Sequence, residues 1–238
     1  MADSALKNLK LKVLEANIEL NKSGLVFFTF GNVSGIDRER EIVAIKPSGV
    51  DYSDLNEENI VVLDLKGKII SQGFNPSSDT KTHLVLYESF PEIGGVAHTH
   101  SRFATVFAQS LMDIKCLGTT HADYFYGDIP CTEAMTDEYI KGDYEYNTGL
   151  HIRNTFNARK IDPAKMQACL VANHGPFTWG KDPTEAVFIS AVLEEVALQN
   201  YCTRIVNPGI SSINIELVNK HYFRKHGKSA YYGQKKNK

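Results

Sequence analysis

Short apolar runs and amphipathic stretches follow one another along this chain without the regular strand–helix–strand rhythm of a parallel sheet. That irregular order constrains the fold more than any other feature. Strands that are not separated by crossover helices pair most simply as antiparallel neighbours, with the helices left to cover the faces of the sheet. The expected architecture is therefore an α/β chain of α+β character: one domain over 1–238, a three-layer sandwich with a mostly antiparallel central sheet between helices. No repeat and no linker interrupts it.

Leu6, Leu9, Val13, Leu14, Ile18 and Leu20 recur at mostly helical spacing and predict an amphipathic helix over 5–20. The aromatic run 25–30 reads as a strand that ends in a turn at 31–35. The next strand is 41–45, and 61–65 with 68–71 reads as a hairpin around Lys66-Gly67. A loop at 75–79 leads to a helix over 80–90 with a Ser or Asp as its N-cap. A strand over 95–99 and a helix over 102–109 follow, then an irregular stretch over 112–132. A helix near 142–158, a buried strand over 169–173 and helices over 183–202 and 211–225 complete the reading.

Composition bounds the function. The chain has 238 residues, 42% hydrophobic and 23% charged, with net charge −2. A sizeable core is possible, and no overall positive field draws in nucleic acid or a membrane. The terminal Lys-Lys-Asn-Lys is read as a frayed end, and 230–238 as partly a flexible tail. Cys116, Cys131, Cys169 and Cys202 form no Cys-x-x-Cys pair. Cys169 and Cys202 lie in apolar runs and read as small core residues. Neither a signal peptide nor a membrane-length apolar stretch is visible, so the expectation is a cytoplasmic protein with reduced thiols.

The eight histidines are unevenly placed. His98 and His100 stand one residue apart at the end of an apolar strand, and alternate strand residues share a face. His-x-His alone leaves a metal pair and a polar or core pair equally open. His174 closes a second apolar strand, just before Gly175-Pro176. Asp79, whose simplest reading is an N-cap, opens a helix. Three histidines and a carboxylate at element ends match a catalytic zinc, with three nitrogens and one further position. Of the rest, His83 and His151 read as structural or exposed, His121 as an orienter of Asp123, and His221 and His226 as able to touch an anion. Trp179 reads as a packing residue.

Three loops rich in Gly, Ser and Asn, at 31–35, 46–49 and 77–78, supply backbone N–H groups and hydroxyls of the kind that cradle anions. Lys46 adds a point charge. Their repetition suggests a small phosphorylated ligand.

Several longer stretches carry a resemblance: Gly31-Asn32-Val33-Ser34, Ile45-Lys-Pro-Ser-Gly-Val-Asp51, Pro76-Ser77-Ser78-Asp79-Thr80, His98-Thr99-His100-Ser101, Gly118-Thr-Thr-His-Ala-Asp-Tyr-Phe-Tyr-Gly127, Asn173-His174-Gly175-Pro176, Lys220-His-Tyr-Phe-Arg-Lys-His-Gly227 and Ala230-Tyr231-Tyr232-Gly233-Gln234. Together they resemble the class II aldolase/epimerase family over nearly the whole chain, and more narrowly its L-ribulose-5-phosphate 4-epimerases. The resemblance implies a homotetramer with fourfold symmetry and one Zn²⁺ per subunit, near subunit interfaces, with another divalent cation left open because imidazole and carboxylate also accept one. It places Asp79, His98, His100 and His174 at metal positions. Asn32, Lys46, Ser48, Gly49, Ser77 and Ser78 fall in phosphate-binding loops. Asp123 and Tyr232 fall at acid/base positions, with parts of a site expected from a neighbouring chain.

The implied reaction interconverts L-ribulose 5-phosphate and D-xylulose 5-phosphate by breaking and re-forming the C3–C4 bond, because the C4 proton is not acidic. The aldolases of the family carry a basic glutamate where this chain has Asp79, which favours epimerase over a sugar-phosphate aldolase of the L-fuculose-phosphate type. A non-catalytic binding module of the adducin type, lacking the metal positions, is the remote alternative. Arabinose breakdown, ascorbate breakdown and related pentose routes all remain open as sources of the substrate.

Overall fold

A computed structural model describes residues 2–227, 230 and 231. Among these, eight helices and six strands occur: α1 Ala2–Lys22, β1 Asn32–Asp37, β2 Ile42–Ile45, β3 Val61–Asp64, α2 Thr80–Ser89, β4 Gly95–His98, α3 Arg102–Gln109, α4 Thr119–Ala122, α5 Asp137–Lys141, α6 Tyr144–Arg159, β5 Ala168–Val171, β6 Gly175–Gly180, α7 Pro183–Val206 and α8 Ile215–Lys225. The strands form one sheet in the order β3-β2-β1-β4-β6-β5, and every neighbouring pair is antiparallel.

The strand alternation sorts the core into two sides. On one, Ala16, Leu20, Val33, Ala97, Ala186 and Val187 join α1 and α7 to the sheet. On the other, Val43, Ile45, Leu86, Tyr87, Val96, Phe156 and Trp179 join it to α2 and α6. The two sides give the expected three layers, and Trp179 packs in the core. Local chemistry fixes the helix ends. Asp182 accepts from the Glu185 amide and Pro183 opens α7. The α3 N-terminus is met by Glu194 of α7, whose carboxylate accepts from the Phe103 and Ala104 amides at 2.8 and 3.0 Å. Among the described residues, no helix is long and apolar enough to cross a membrane.

Five local expectations change. The run 25–30 is not a strand, and the supposed turn at 31–35 begins the central strand β1. Val33 fills one side of the sheet there, and burial outweighs the low strand preference of Asn, Ser and Gly. Residues 68–71 return along β3 through bonds such as Ile70 N–H to the Val62 carbonyl, but they form no full strand. Strand β6 went unread because Gly175-Pro176 looks like a stop. Pro176 pairs with Leu170 of the edge strand β5. Cys202 is exposed, whereas Cys169 is buried as expected.

Candidate active site

Gly31 lets β1 start against β4. Its φ is +76°, and a Cβ there would meet the His98 carbonyl at 2.8 Å and Val26 at 2.7 Å. Strand β1 thus begins with Asn32 paired to His98 of β4. Beyond β4 the chain leaves the sheet and His100 turns back toward His98. Asn173, with φ +60°, makes the hairpin turn that delivers His174 between β5 and β6.

These three histidines, distant in the sequence, converge. One ring nitrogen from each of His98, His100 and His174 lies within 4.8 Å of the others. His98 is buried, with its ring stacked on Phe177 at 4.2 Å. Its Nδ1 is 2.9 Å from the Pro176 carbonyl, which can only accept, so Nδ1 carries the proton and Nε2 presents a lone pair. That Nε2 stands 3.1 Å from the His100 Nε2. Two nitrogens about 2.0–2.1 Å from one tetrahedral ion are about 3.3–3.4 Å apart, so the pair is already spaced for a shared cation. Burial holds His100 below the usual imidazole range, and burial with the neighbouring imidazoles takes His174 down to about 3. Neutral imidazoles are what a metal needs. The donor set fits a divalent ion.

Asp79 stands at the N-cap position of α2 but makes no capping bond. Its carboxylate instead accepts from the Asn32 amide at 2.8 Å and lines the same cavity as the histidines, outside their cluster. Burial would raise Asp79; the His98 and His83 imidazoles and the Asn32 bond outweigh it and hold it below the usual carboxylate range. The side-chain oxygen Oδ1 of Asn32 is buried without a partner among the described residues, an acceptor left for a ligand.

The cavity is about 410 Å³ and also takes in Lys46, Ser48, Gly49, Ser77 and Ser78. Two loops lie side by side there, because Ser48 N–H donates to the Asn75 carbonyl and Ser77 N–H to that of Lys46. The Gly49 and Ser78 amides and the Ser48 and Ser78 hydroxyls make no bond among the described residues, so they are free donors. Lys46 is 1% exposed and forms no ion pair among the described residues, although the Asp51 carboxylate acts on it from farther off. Its ammonium donates to the Val50 carbonyl at 2.8 Å and, at 3.3 and 3.4 Å, to those of Thr29 and Pro47, and lies 4.8 Å from the centre of the Tyr52 ring. Burial lowers it to about 8. A buried cation beside free N–H and O–H donors has the chemistry to hold an anion. The histidine cluster and these donors line the same cavity.

Tyr144 and Glu145, at the start of α6, also line this cavity, and the Tyr144 hydroxyl lies 3.5 Å from His174 Nδ1. Sequence reading missed both. They belong to no histidine or glycine motif, and the predicted helix near 142–158 was the only signal.

Asp123 is not brought to this cavity within the chain. It follows α4, where the His221 ring lies 3.0 Å from its carboxylate and Arg224 donates twice, at 3.0 and 2.7 Å. Lys225 is 3.5 Å away. Burial would raise Asp123, but the Arg224 and His221 bonds and the Lys225 charge keep it below its ordinary range. His121 does not orient it; that ring is buried and bonds the Gly127 carbonyl. The anion that His221 meets is therefore Asp123, and His226 meets its backbone carbonyl. His83 is buried and structural, as expected. Tyr232 lies outside the described residues, as do 232–238 of the expected tail.

Comparison with known proteins now decides the family. The sequence profile described as Class II Aldolase and Adducin N-terminal domain matches residues 11–201. The L-ribulose-5-phosphate 4-epimerase UlaF of Salmonella paratyphi C (strain RKS4594) is 51% identical over 230 residues, covering 97% of this chain and 100% of the relative. The chain belongs to the class II aldolase family. Solved structures of that family share its fold. An L-fuculose 1-phosphate aldolase superposes with a TM-score of 0.76 at 24% identity, covering 90% of this chain and 94% of its own. L-fuculose 1-phosphate aldolase from Glaciozyma antarctica PI12 gives 0.75 at 16% identity, covering 97% and 86%. Class II aldolase family members generally use a divalent metal, and the histidine cluster of this chain could bind one.

Proposed function

We propose that this chain is an L-ribulose-5-phosphate 4-epimerase, interconverting L-ribulose 5-phosphate and D-xylulose 5-phosphate by cleavage and re-formation of C3–C4. The observation that carries the reading is the shared cavity, where three metal-ready imidazoles face a phosphate cradle. The 51% identity to epimerases of that name supports the choice among the family's activities.

Zn²⁺, held by His98, His100 and His174 with Asp79 beside them, would supply Lewis-acid stabilisation of the negative charge that cleavage leaves on the ketose fragment. Lys46, Ser48, Gly49, Ser77, Ser78 and Asn32 hold the phosphate. They keep the aldehyde fragment in place while it rotates to present its other face. The C4 oxygen points opposite ways in the two epimers, so two acid/base groups serve it, Asp123 and Tyr232. Asp123 lies away from the cavity of its own chain, so a neighbouring copy brings it there.

A homotetramer supplies that neighbour. Phe28, Ile205 and Val206 are 81%, 62% and 86% exposed, as apolar residues at a subunit interface are in an isolated chain. The cytoplasm, where three buried thiols and an exposed one stay reduced, is the fitting compartment.

Metal analysis and a coupled assay for D-xylulose 5-phosphate formed from L-ribulose 5-phosphate test the reading. Stoichiometric zinc with epimer formation is expected. Accumulation of dihydroxyacetone and glycolaldehyde phosphate as main products would show an aldolase instead.

A further inference from the structure

Behind the cavity, the sheet and α2 are joined by polar side chains inside an otherwise apolar layer. On β1, Asn32 and Ser34 are two residues apart and share a face. Along α2 and its N-cap, Asp79, His83 and Tyr87 are four apart and also share a face. Two strand residues advance about 6.6 Å, and four helical residues about 6.0 Å, so the rows stay in step. Asn32 meets Asp79 at 2.8 Å. One step on, the Ser34 hydroxyl meets His83 Nδ1 at 2.7 Å and the Tyr87 hydroxyl at 2.8 Å. Ser34, His83 and Tyr87 are almost fully buried. Isolated polar groups there would cost stability, and apolar residues could fill the same space. What the polar version adds is direction: only one lateral setting of α2 satisfies these bonds.

We infer that Ser34 and His83 are positioning residues for the metal centre, setting α2 against β1 so that Asp79 faces the His98–His100–His174 cluster. Resting on the proposed metal reading, this assigns a role to two residues that touch neither metal nor substrate. Apolar contacts hold α2 on the sheet but tolerate sliding, whereas Ser34 sits on the strand that pairs directly with the strand of His98. A shift of α2 therefore moves Asp79 relative to that histidine.

The test measures zinc affinity by competition with a chromophoric chelator, alongside the thermal stability of the metal-free protein. Ser34→Ala and His83→Leu remove the bond, and His83→Asn keeps an amide where Nδ1 stood. The first two are expected to weaken zinc binding about 10–100-fold, as the loss of groups that orient metal ligands does, and His83→Asn to recover most of it. Should a variant fail to fold, the others carry the comparison, since Ser34→Ala removes a single oxygen. Unchanged zinc affinity in folded Ser34→Ala, or His83→Asn as weak as His83→Leu, overturns the assignment even where the metal-free melting temperature falls. A wild-type chain that binds no zinc overturns the metal reading first and this one with it.

Discussion

The Nε2 atoms of His98 and His100 stand 3.1 Å apart, although the strand that carries His98 ends at that residue. The approach is made by the turn after β4, not by strand alternation. Because the Pro176 carbonyl commits the His98 proton to Nδ1, the short distance brings a lone pair to a second imidazole. Such a contact is stable when a proton or a cation lies between the two nitrogens.

Removing one histidine should therefore remove the metal. His174→Ala is expected to fold, since His174 sits in a hairpin turn and not in the core, and to lose at least about 100-fold in zinc affinity, beyond what loss of a supporting group costs. Epimerase activity should fall with bound zinc. Retained stoichiometric zinc after dialysis against a mild chelator would contradict the site.

Lys46→Met tests the anion cradle. The methionine keeps most of the apolar stem and deletes a buried charge. Loss of one charge-assisted bond, about 1.5–3 kcal/mol, predicts a KM for the sugar phosphate higher by roughly 10–100-fold, with a similar loss in inhibition by inorganic phosphate. Equal phosphate inhibition in variant and wild type would exclude Lys46 as a ligand.

Acid should weaken the metal-free fold before the carboxylates titrate. Burial lowers His83 to about 3 and His121 to about 4, below the unfolded value. Both are neutral when folded, so their contribution is complete above about pH 6.5 and is lost as pH falls toward those folded values. The slope is up to about 1.4 kcal/mol per pH unit for each group. Urea midpoints measured from pH 7 to pH 5 should fall steadily, and a flat profile would mean that neither ring is buried neutral.

Asp123 offers a kinetic prediction with a sign. Arg224 donates two bonds to it and helps hold it ionised. Arg224→Met should raise the Asp123 pKa and so move the acid limb of the rate profile to higher pH. Asp123→Asn should lower kcat at least about 100-fold, the scale of acid–base catalysis, with zinc content unchanged. A normal kcat in folded, zinc-loaded Asp123→Asn would remove it from the reaction.

The sequence alone determined the class of the fold and the ingredients of the site. Helical periodicity located α1, and the lack of a βαβ rhythm implied an antiparallel sheet, because both signals are local. His98, His100 and His174 were legible as strand-end histidines, and Lys46 to Gly49 as a loop that could take an anion. Strand β1 was not legible, since Asn32, Ser34 and Gly35 have poor strand propensity and are held by packing on both faces. Nor was β6, whose Gly175-Pro176 start imitates a stop. Tertiary structure alone decided that Asn32 would turn Asp79 from a helix cap into a cavity carboxylate, and that α8 would give Asp123 its cations. Each pairing joins residues 47 or more apart in the chain, and no periodicity reaches across that distance. Chain pattern records which faces must be buried, whereas the partner across a buried face is chosen only when the layers close.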